Sequence, residues 1–503
     1  MRVLFATSEI EPLIRTGGLA EVSWGLPRAL RERGHDVRVV LPNYPPVAAA
    51  VRDLVERARA QLIGAPAPVR FFAAHVSGSD LPLYLVDSPA HFAREGGPYA
   101  NADGDSWTDN AERFALYCRA IVAMLDGTAV LGWQPQLVHC HDWQTGLVPA
   151  LLCNQPRPPA VVFTIHNLSF QGQFSWDVFH HLQLPRPLWT RHGLEHYGNF
   201  SFIKGGLAFS ERITTVSPTH AREIQTEAHG SGLEEVVRRH SERLAGILNG
   251  IDLAVWDPAR DPHLAVNFER DQLADKAANK RALQAWLRLP ETDSAPLLIH
   301  VGQLTRRRGS DLLLELLPRL LEREGALQLV VIGQGERALE DGWLQAASRY
   351  PRQVATVIGD DDPLLHLAKG GADLLLMPSR SEPCGLHQLH CLRYATLPLV
   401  HRTGGLADTV EDAGDGRSAS PSATGFAYEG AQGAALLAAI ERAVSMHRWA
   451  PERWHALMLN AMARDFGWAR SAARYEALYR EAMQHNAEIH GPAVSGPQAL
   501  SNR

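Results

Sequence analysis

Short apolar runs separated by stretches of helical periodicity constrain the fold of this chain more than any other feature. They stand at Val3 to Ala6, Leu137 to Cys140, Ala160 to Ile165, Arg212 to Val216, Leu297 to Val301, Leu327 to Ile332, Val354 to Ile358, Ala372 to Met377 and Leu397 to Val400. These runs do not alternate with polar residues, which is the pattern of strands buried on both faces. Amphipathic segments such as Leu312 to Glu322 lie between them. Alternating β and α elements predict parallel sheets joined by right-handed crossovers. With 503 residues, the chain exceeds what one core serves. The expectation is an α/β protein of two Rossmann-like, doubly wound domains with an interdomain cleft.

The boundary falls where Leu248-Asn249-Gly250-Ile251-Asp252 closes the first set of runs. Trp256-Asp257-Pro258 and Asp261-Pro262 then read as turns. The expected domains are residues 1–250 and 251–465. Trp468 to Gln484 has Ala, Tyr and Leu at helical spacing, which predicts a long C-terminal helix within residues 466–486. Residues 487–503 contain Gly, Pro and Ser and predict a disordered tail.

Composition excludes several functions. A net charge of -6 offers no basic field for nucleic acid. The five cysteines, Cys118, Cys140, Cys153, Cys384 and Cys391, are odd in number and lack C-x-x-C spacing, which argues against a disulfide framework or zinc knuckle. The first residues lack the long apolar core of a signal peptide, and no stretch reaches the roughly 18 apolar residues of a membrane span. A cytoplasmic location is expected, with no membrane partner. Oligomeric state is not legible. Only four of the 49 basic residues are lysines, Lys204, Lys276, Lys280 and Lys369, so an Arg where chemistry favours Lys is no surprise here.

One internal repeat stands out. Arg15-Thr16-Gly17-Gly18-Leu19-Ala20-Glu21-Val22 recurs as Arg402-Thr403-Gly404-Gly405-Leu406-Ala407-Asp408-Thr409-Val410. A glycine pair at a strand-to-helix turn lets backbone N–H groups approach an anion, and the helix start favours negative charge. Alone, such a pair is more often a plain tight turn. Two copies favour two ligand loops. Pro378-Ser379-Arg380-Ser381-Glu382-Pro383-Cys384-Gly385-Leu386 follows a strand, where ligands bind in open α/β folds. A helix is expected to start at Pro383, with the N–H groups of Cys384, Gly385 and Leu386 free for phosphate. Glu382 reads equally as a solvated helix-start carboxylate. Gln303-Leu304-Thr305-Arg306-Arg307-Arg308-Gly309 follows another strand, and its arginines suit a diphosphate.

His139-Cys140-His141-Asp142-Trp143 and Phe163-Thr164-Ile165-His166-Asn167 each end a strand. The spacing of their histidines is not that of a metal site. Recognition of sugar hydroxyls is the better reading, with Trp143 as a stacking surface. Pro98-Tyr99 and Trp107-Thr108-Asp109-Asn110 suit a sugar chain in the same way, although any one such aromatic is more often core.

Taken together, TGGLAEV, PYAN with WTDN, HCHDWQTGL, FTIHNLSFQG, TTVSPTHAREI, ILNGID, PSRSEPCGL and RTGGLADTV resemble the bacterial glycogen synthases and plant starch synthases. The resemblance runs from about residue 1 to residue 482. It implies the glycosyltransferase-B fold, with a C-terminal helix returning to the first domain. It implies retaining transfer of glucose from ADP-glucose to the non-reducing end of an α-1,4-glucan, with no cofactor or metal. Glu382 and His166 would be the catalytic pair. Arg15, Gly17, Gly18, Glu21, Asn249, Gln303, Arg308, Cys384, Gly385, Leu386 and Thr403 would hold the donor. Tyr99, Asp142, Trp143 and Asn167 would meet the acceptor glucan.

The chain departs from the family pattern at four places. Arg15 stands for the usual Lys and Glu21 for Asp. Gln303 and Arg308 stand for the Arg and Lys that face phosphate, and His387 replaces a usual Thr or other polar residue. Gln303 motivates two alternatives: a weakly active or non-catalytic paralogue that binds glucan or nucleotide, or a transferase of the same fold using another donor.

Overall fold

The computed structural model describes residues 1–101, 104–125, 132–414, 420–430 and 432–491. The chain divides into two compact units. One comprises Met1–Val216, Ala221–Gly250 and the segment from Trp468; the other comprises Ser217–His220 and Ile251–Gly467.

The N-terminal unit is built on a nine-stranded sheet. In spatial order its strands are Leu244–Gly246, Arg212–Thr215, Ala160–Ile165, Leu137–His141, Arg2–Ala6, Asp36–Pro42, Pro82–Asp87, Val69–Val76 and Val51–Ala60. The first seven are parallel, and the last two add antiparallel at one edge. The apolar runs of the sequence supply the parallel centre, where Val3, Phe5, Val138 and Phe163 are fully buried. The antiparallel edge strand Val51–Ala60 is mostly exposed and charged, which blunts an edge against further pairing.

The C-terminal unit holds a six-stranded, wholly parallel sheet. Its order is Val354–Ile358, Gln328–Gly335, Leu297–Leu304, Leu374–Met377, Leu397–His401 and Phe426–Tyr428. Separate apolar clusters cover its two faces, as continuous apolar strands require.

Three elements differ from the sequence expectation. The strand beginning at Leu297 runs to Leu304, so Gln303 lies on a strand paired with Gln334 and not on the following turn. The helix after Glu382 starts at His387, not Pro383. The C-terminal helix spans Trp468–His490, beyond the expected start of the disordered tail at residue 487. Residues 492–503 of that tail lie outside the described residues.

The C-terminal helix belongs to the N-terminal unit. Trp468, Ala472, Tyr475, Leu478, Tyr479 and Ala482 recur at helical spacing and join that unit's core. Each aromatic removed from water contributes about 1.5–3 kcal/mol. The helix Gly18–Glu32 meets it through Gly25, where an added Cβ would lie 1.9 Å from Trp468 Nε1. Arg33 pairs with Glu476 at 2.6 Å beside this contact. A Gly25→Ala substitution is therefore expected to overpack this seam and cost about 1–3 kcal/mol. Scanning calorimetry checks it: the melting transition of the N-terminal unit should fall by several degrees.

Candidate functional site

In the N-terminal unit, polar side chains gather at the carboxyl ends of the strands Arg2–Ala6, Leu137–His141 and Ala160–Ile165. The first Gly-Gly loop follows the first of these. Its geometry is set by Glu9, which is 3% exposed. Glu9 accepts hydrogen bonds from Thr16 N–H at 2.6 Å, Thr16 O–H at 2.7 Å, Gly17 N–H at 3.3 Å and Tyr99 O–H at 2.6 Å. Burial raises the pKa of Glu9, and these four donors oppose the shift. Gly17 is extended, caps the helix that starts at Gly18, and has nothing within 4 Å of an added Cβ. Glu21 lies in the first turn of that helix. Arg15 is exposed and reaches Glu11 at 3.1 Å.

Tyr99 is half-buried, and its hydroxyl lies 2.6 Å from Ser8 Oγ as well as bonding Glu9. It is tied to the loop that carries Gly17 through one shared carboxylate. Sequence reasoning missed Glu9. The available signal was its place just after the first strand, where α/β folds put ligand-facing groups.

Asp142 adopts φ 55°, ψ -176°, a sparsely populated conformation for a non-glycine residue, of the kind found at functional sites. Its carboxylate accepts the N–H of His166 at 2.7 Å and of Asn167 at 3.4 Å. Burial pushes its pKa up to about 7, against the pull of these two N–H groups. The His166 ring nitrogen Nε2 lies 2.9 Å from His141 Nδ1. Burial lowers the His166 pKa to about 3, which keeps the ring neutral. Asn167 turns its side-chain carbonyl back to Ser169 N–H at 3.1 Å. Asn249 is 5% exposed, and its Oδ1 is buried without a hydrogen-bond partner among the described residues.

Trp143 does not offer a stacking surface. It is 9% exposed and packs edge-on against Phe114 at 4.9 Å and Phe202 at 5.6 Å. Phe174 lies beside it at 6.2 Å, so three rings of the unit's aromatic core surround it.

The C-terminal unit builds a second group at its own strand ends. Glu382 is 4% exposed, accepts Ser379 O–H at 3.1 Å, and forms an ion pair with Arg308. Arg308 follows the strand Leu297–Leu304 and precedes Gly309, whose left-handed conformation at φ 74° starts the helix Ser310–Glu324. Arg307 lies close enough to feel both Arg308 and Glu382, and burial together with Arg308 lowers its pKa. Arg306 turns toward Asp311 at 3.8 Å and is mostly exposed. Gln303 is exposed at the end of its strand.

The segment from Pro383 to Leu386 is a loop, and two devices hold it. Gln388 donates from its amide to the carbonyls of Cys384 at 2.9 Å and Gly385 at 3.1 Å. Gly405 N–H donates to the carbonyls of Glu382 and Pro383 at 3.1 and 3.0 Å. The second Gly-Gly pair is glycine because this backbone occupies the space of its side chains. An added Cβ at Gly404 would lie 2.0 Å from Glu382 O, and one at Gly405 2.1 Å from Cys384 O. Gly385 itself has φ 70°. Thr403, 2% exposed, stands at the N-cap position of the short helix Gly404–Thr409. Among the described residues, no group of three or more His, Cys, Asp and Glu side chains is placed to hold a metal ion.

Residues 2–239 match the family model described as starch synthase catalytic domain, and residues 288–455 match glycosyl transferases group 1. Glycogen synthase 1 of Methylococcus capsulatus is 47% identical over 96% of this chain and 97% of its own. The chain belongs to the glycogen and starch synthase family. Glycogen synthase of Thioalkalivibrio sulfidiphilus is 46% identical, covering 96% of this chain and 99% of its own. The solved catalytic domain of starch synthase IV from Arabidopsis thaliana, bound to ADP and acarbose, superposes with a TM-score of 0.87 at 30% identity, over 96% of this chain and 99% of that one. The glycosyltransferase-B fold expected of this family is therefore the fold of this chain. Sucrose-phosphate synthase from Thermosynechococcus elongatus shares that fold alone, with a TM-score of 0.59 at 18% identity.

In this family member the raised pKa of Asp142 has a stability consequence. The folded chain holds a proton that the unfolded chain releases between about pH 4 and pH 7. Asp142 thus favours folding at low pH, and the benefit is lost as pH rises through about 7. Urea denaturation of the protein and of Asp142→Asn at pH 5 and pH 8 checks this. The stability of the protein relative to the variant should be lower at pH 8 than at pH 5.

Proposed function

We propose that this glycosyltransferase transfers glucose from ADP-glucose to the non-reducing 4-hydroxyl of an α-1,4-glucan, with retention at the anomeric carbon and without a metal. The observation that carries the reading is the buried Glu382 carboxylate beside Arg308, on a loop clamped by Gly404 and Gly405. Near-full-length identity to glycogen synthases supports it, as does the likeness to a starch synthase bound to ADP and acarbose. Among the described residues no helix is long and apolar enough to cross a membrane.

Departure of ADP develops positive charge on the sugar ring and negative charge on phosphate. Preorganised charges in a dry site stabilise such changes strongly. In this reading Glu382 faces the sugar, while Arg308 and the N–H groups of Cys384, Gly385 and Leu386 face the diphosphate, with Thr403 behind them. Gly17, Gly18, Arg15, Glu21 and Asn249 complete the donor contacts, and His166 bonds the donor sugar. Tyr99, Asp142 and Asn167 serve the acceptor. Trp143 supports them from the core and does not touch glucan. Because Arg308 already pairs with Glu382, diphosphate and carboxylate share one guanidinium.

Transfer of radiolabel from ADP-glucose to glycogen tests this reading, with UDP-glucose as the comparison donor. Incorporation from ADP-glucose is expected, and Glu382→Ala should reduce it by about 10²–10³-fold. Well-folded protein that incorporates label from neither donor would sink it.

The exchange of the usual Arg for Gln303 has a local remedy. Arg307 lies beside Arg308 and Glu382, whereas Arg306 is turned to Asp311. Arg307 accordingly supplies the charge that Gln303 lacks. Its loss should cost roughly the value of a charged hydrogen bond, about 10- to 100-fold in rate. Steady-state assays of Arg307→Ala and Arg306→Ala check this, with a large loss expected only in the first. Gln303→Arg should gain less than about tenfold if the charge is already in place.

A further inference from the structure

Three histidines of the N-terminal unit, His139 and His141 fully buried and His166 half-buried, form a row, of which the proposed reaction uses one end. His139 and His141 lie on the strand Leu137–His141, and His166 follows the strand Ala160–Ile165. The rings of His139 and His141 have centroids 4.0 Å apart, and Phe5 stacks on His141 at 4.0 Å. Both nitrogens of His139 are engaged. Nδ1 lies 2.8 Å from the Tyr479 hydroxyl, and Nε2 lies 2.6 Å from the Thr164 hydroxyl. His141 Nδ1 lies 2.9 Å from His166 Nε2. His141 Nε2 is buried with no hydrogen-bond partner among the described residues.

Burial keeps all three rings neutral, so each carries one N–H and one lone pair. The contact between His141 and His166 needs one proton between its two nitrogens. Were His166 to supply it from Nε2, the proton of His141 would sit on its own Nε2. That would leave a buried N–H with nothing to donate to. With the proton on His141 Nδ1, only a lone pair is left unpaired there. A buried donor without an acceptor is the rarer and costlier case.

We propose that His141 donates its Nδ1–H to His166 Nε2 and so fixes the His166 proton on Nδ1, making His166 a hydrogen-bond donor to a sugar hydroxyl oxygen. His141 is a positioning residue. Its ring is held from one side by Phe5 and from another by His139, which Tyr479 of the C-terminal helix anchors. The use of the donor rests on the reading of His166 as a sugar ligand; the tautomer does not.

The test is nitrogen-15 NMR of the full chain labelled at its 23 histidines, with His166 assigned by its loss in His166→Asn. Without ligand at neutral pH, His166 should show a protonated Nδ1 and an unprotonated Nε2. A proton on Nε2 overturns the proposal. Two variants test the positioning role. His141→Phe keeps the stacked ring but has no donor; it should lower kcat by about tenfold, the scale of one lost hydrogen bond, and shift His166 toward the Nε2–H form. His141→Asn places an amide N–H near the Nδ1 position and should recover most of the loss. A Phe variant as active as the protein, or an Asn variant no better than Phe, overturns the role. If His141→Phe fails to fold, the spectrum of the unaltered protein still decides the tautomer. An inactive protein with His166 protonated on Nδ1 would remove the sugar-transfer reading and leave the tautomer standing.

Discussion

The parallel central strands of both sheets are covered on two faces by apolar side chains, and this confines chemistry to the strand ends. A polar group in the middle of such a strand would need a partner inside the core. Glu9, Asp142 and His166 all follow strands of the first sheet, and Arg308 and Glu382 follow strands of the second. Exceptions such as His139 confirm the cost, because both its nitrogens are paired. The helix Trp468–His490 is part of the cover. Without Tyr475 and Tyr479 the first sheet would lose core on the face that supports the histidine row.

The two Gly-Gly loops share a sequence and do different work. Gly17 is extended, open beside its Cα, and fixed through its N–H by Glu9. Gly404 and Gly405 are crowded by the carbonyls of Glu382 and Cys384. In the first loop glycine leaves space beside an exposed backbone. In the second it lets one piece of backbone press on another, which sets where Glu382 stands. One motif thus leaves the backbone open in one loop and presses it against the chain in the other, according to what lies opposite.

The near-absence of lysine also acquires a physical reading. All four lysines are buried, at 5% exposure or less. Lys276 donates to the carbonyls of Gly370 and Tyr394 at 2.7 and 3.0 Å, Lys204 to that of Arg191 at 2.9 Å, and Lys280 to that of Asp293 at 3.2 Å. Lys369 lies over the Trp256 ring at 3.7 Å. A compact ammonium with three rotatable donors suits such carbonyl-lined pockets. Most of the arginines lie at the surface or in the turn from Arg306 to Arg308, and Arg113 is a buried exception that donates to the carbonyls of His91 and Pro98.

The sequence by itself determined four parallel strands of the first sheet, five of the six strands of the second and the strand-end loops that carry the candidate residues, because burial on both faces writes itself into local apolar runs; the antiparallel edge of the first sheet, exposed on one side, left no such run. Family motifs then placed Glu382, His166 and the Gly-Gly loops. Tertiary structure decided what depends on distant partners. Glu9 had no motif of its own, yet it meets Tyr99, 90 positions away. Pro383 reads as a helix start, but Gly405 and Gln388 hold that segment as a loop. Trp143 reads as a sugar platform, but Phe114 and Phe202 enclose it. Periodicity records which face of an element is buried; it does not record which group is waiting there, and hydrogen bonds and ring contacts are fixed only when the chain brings those groups together.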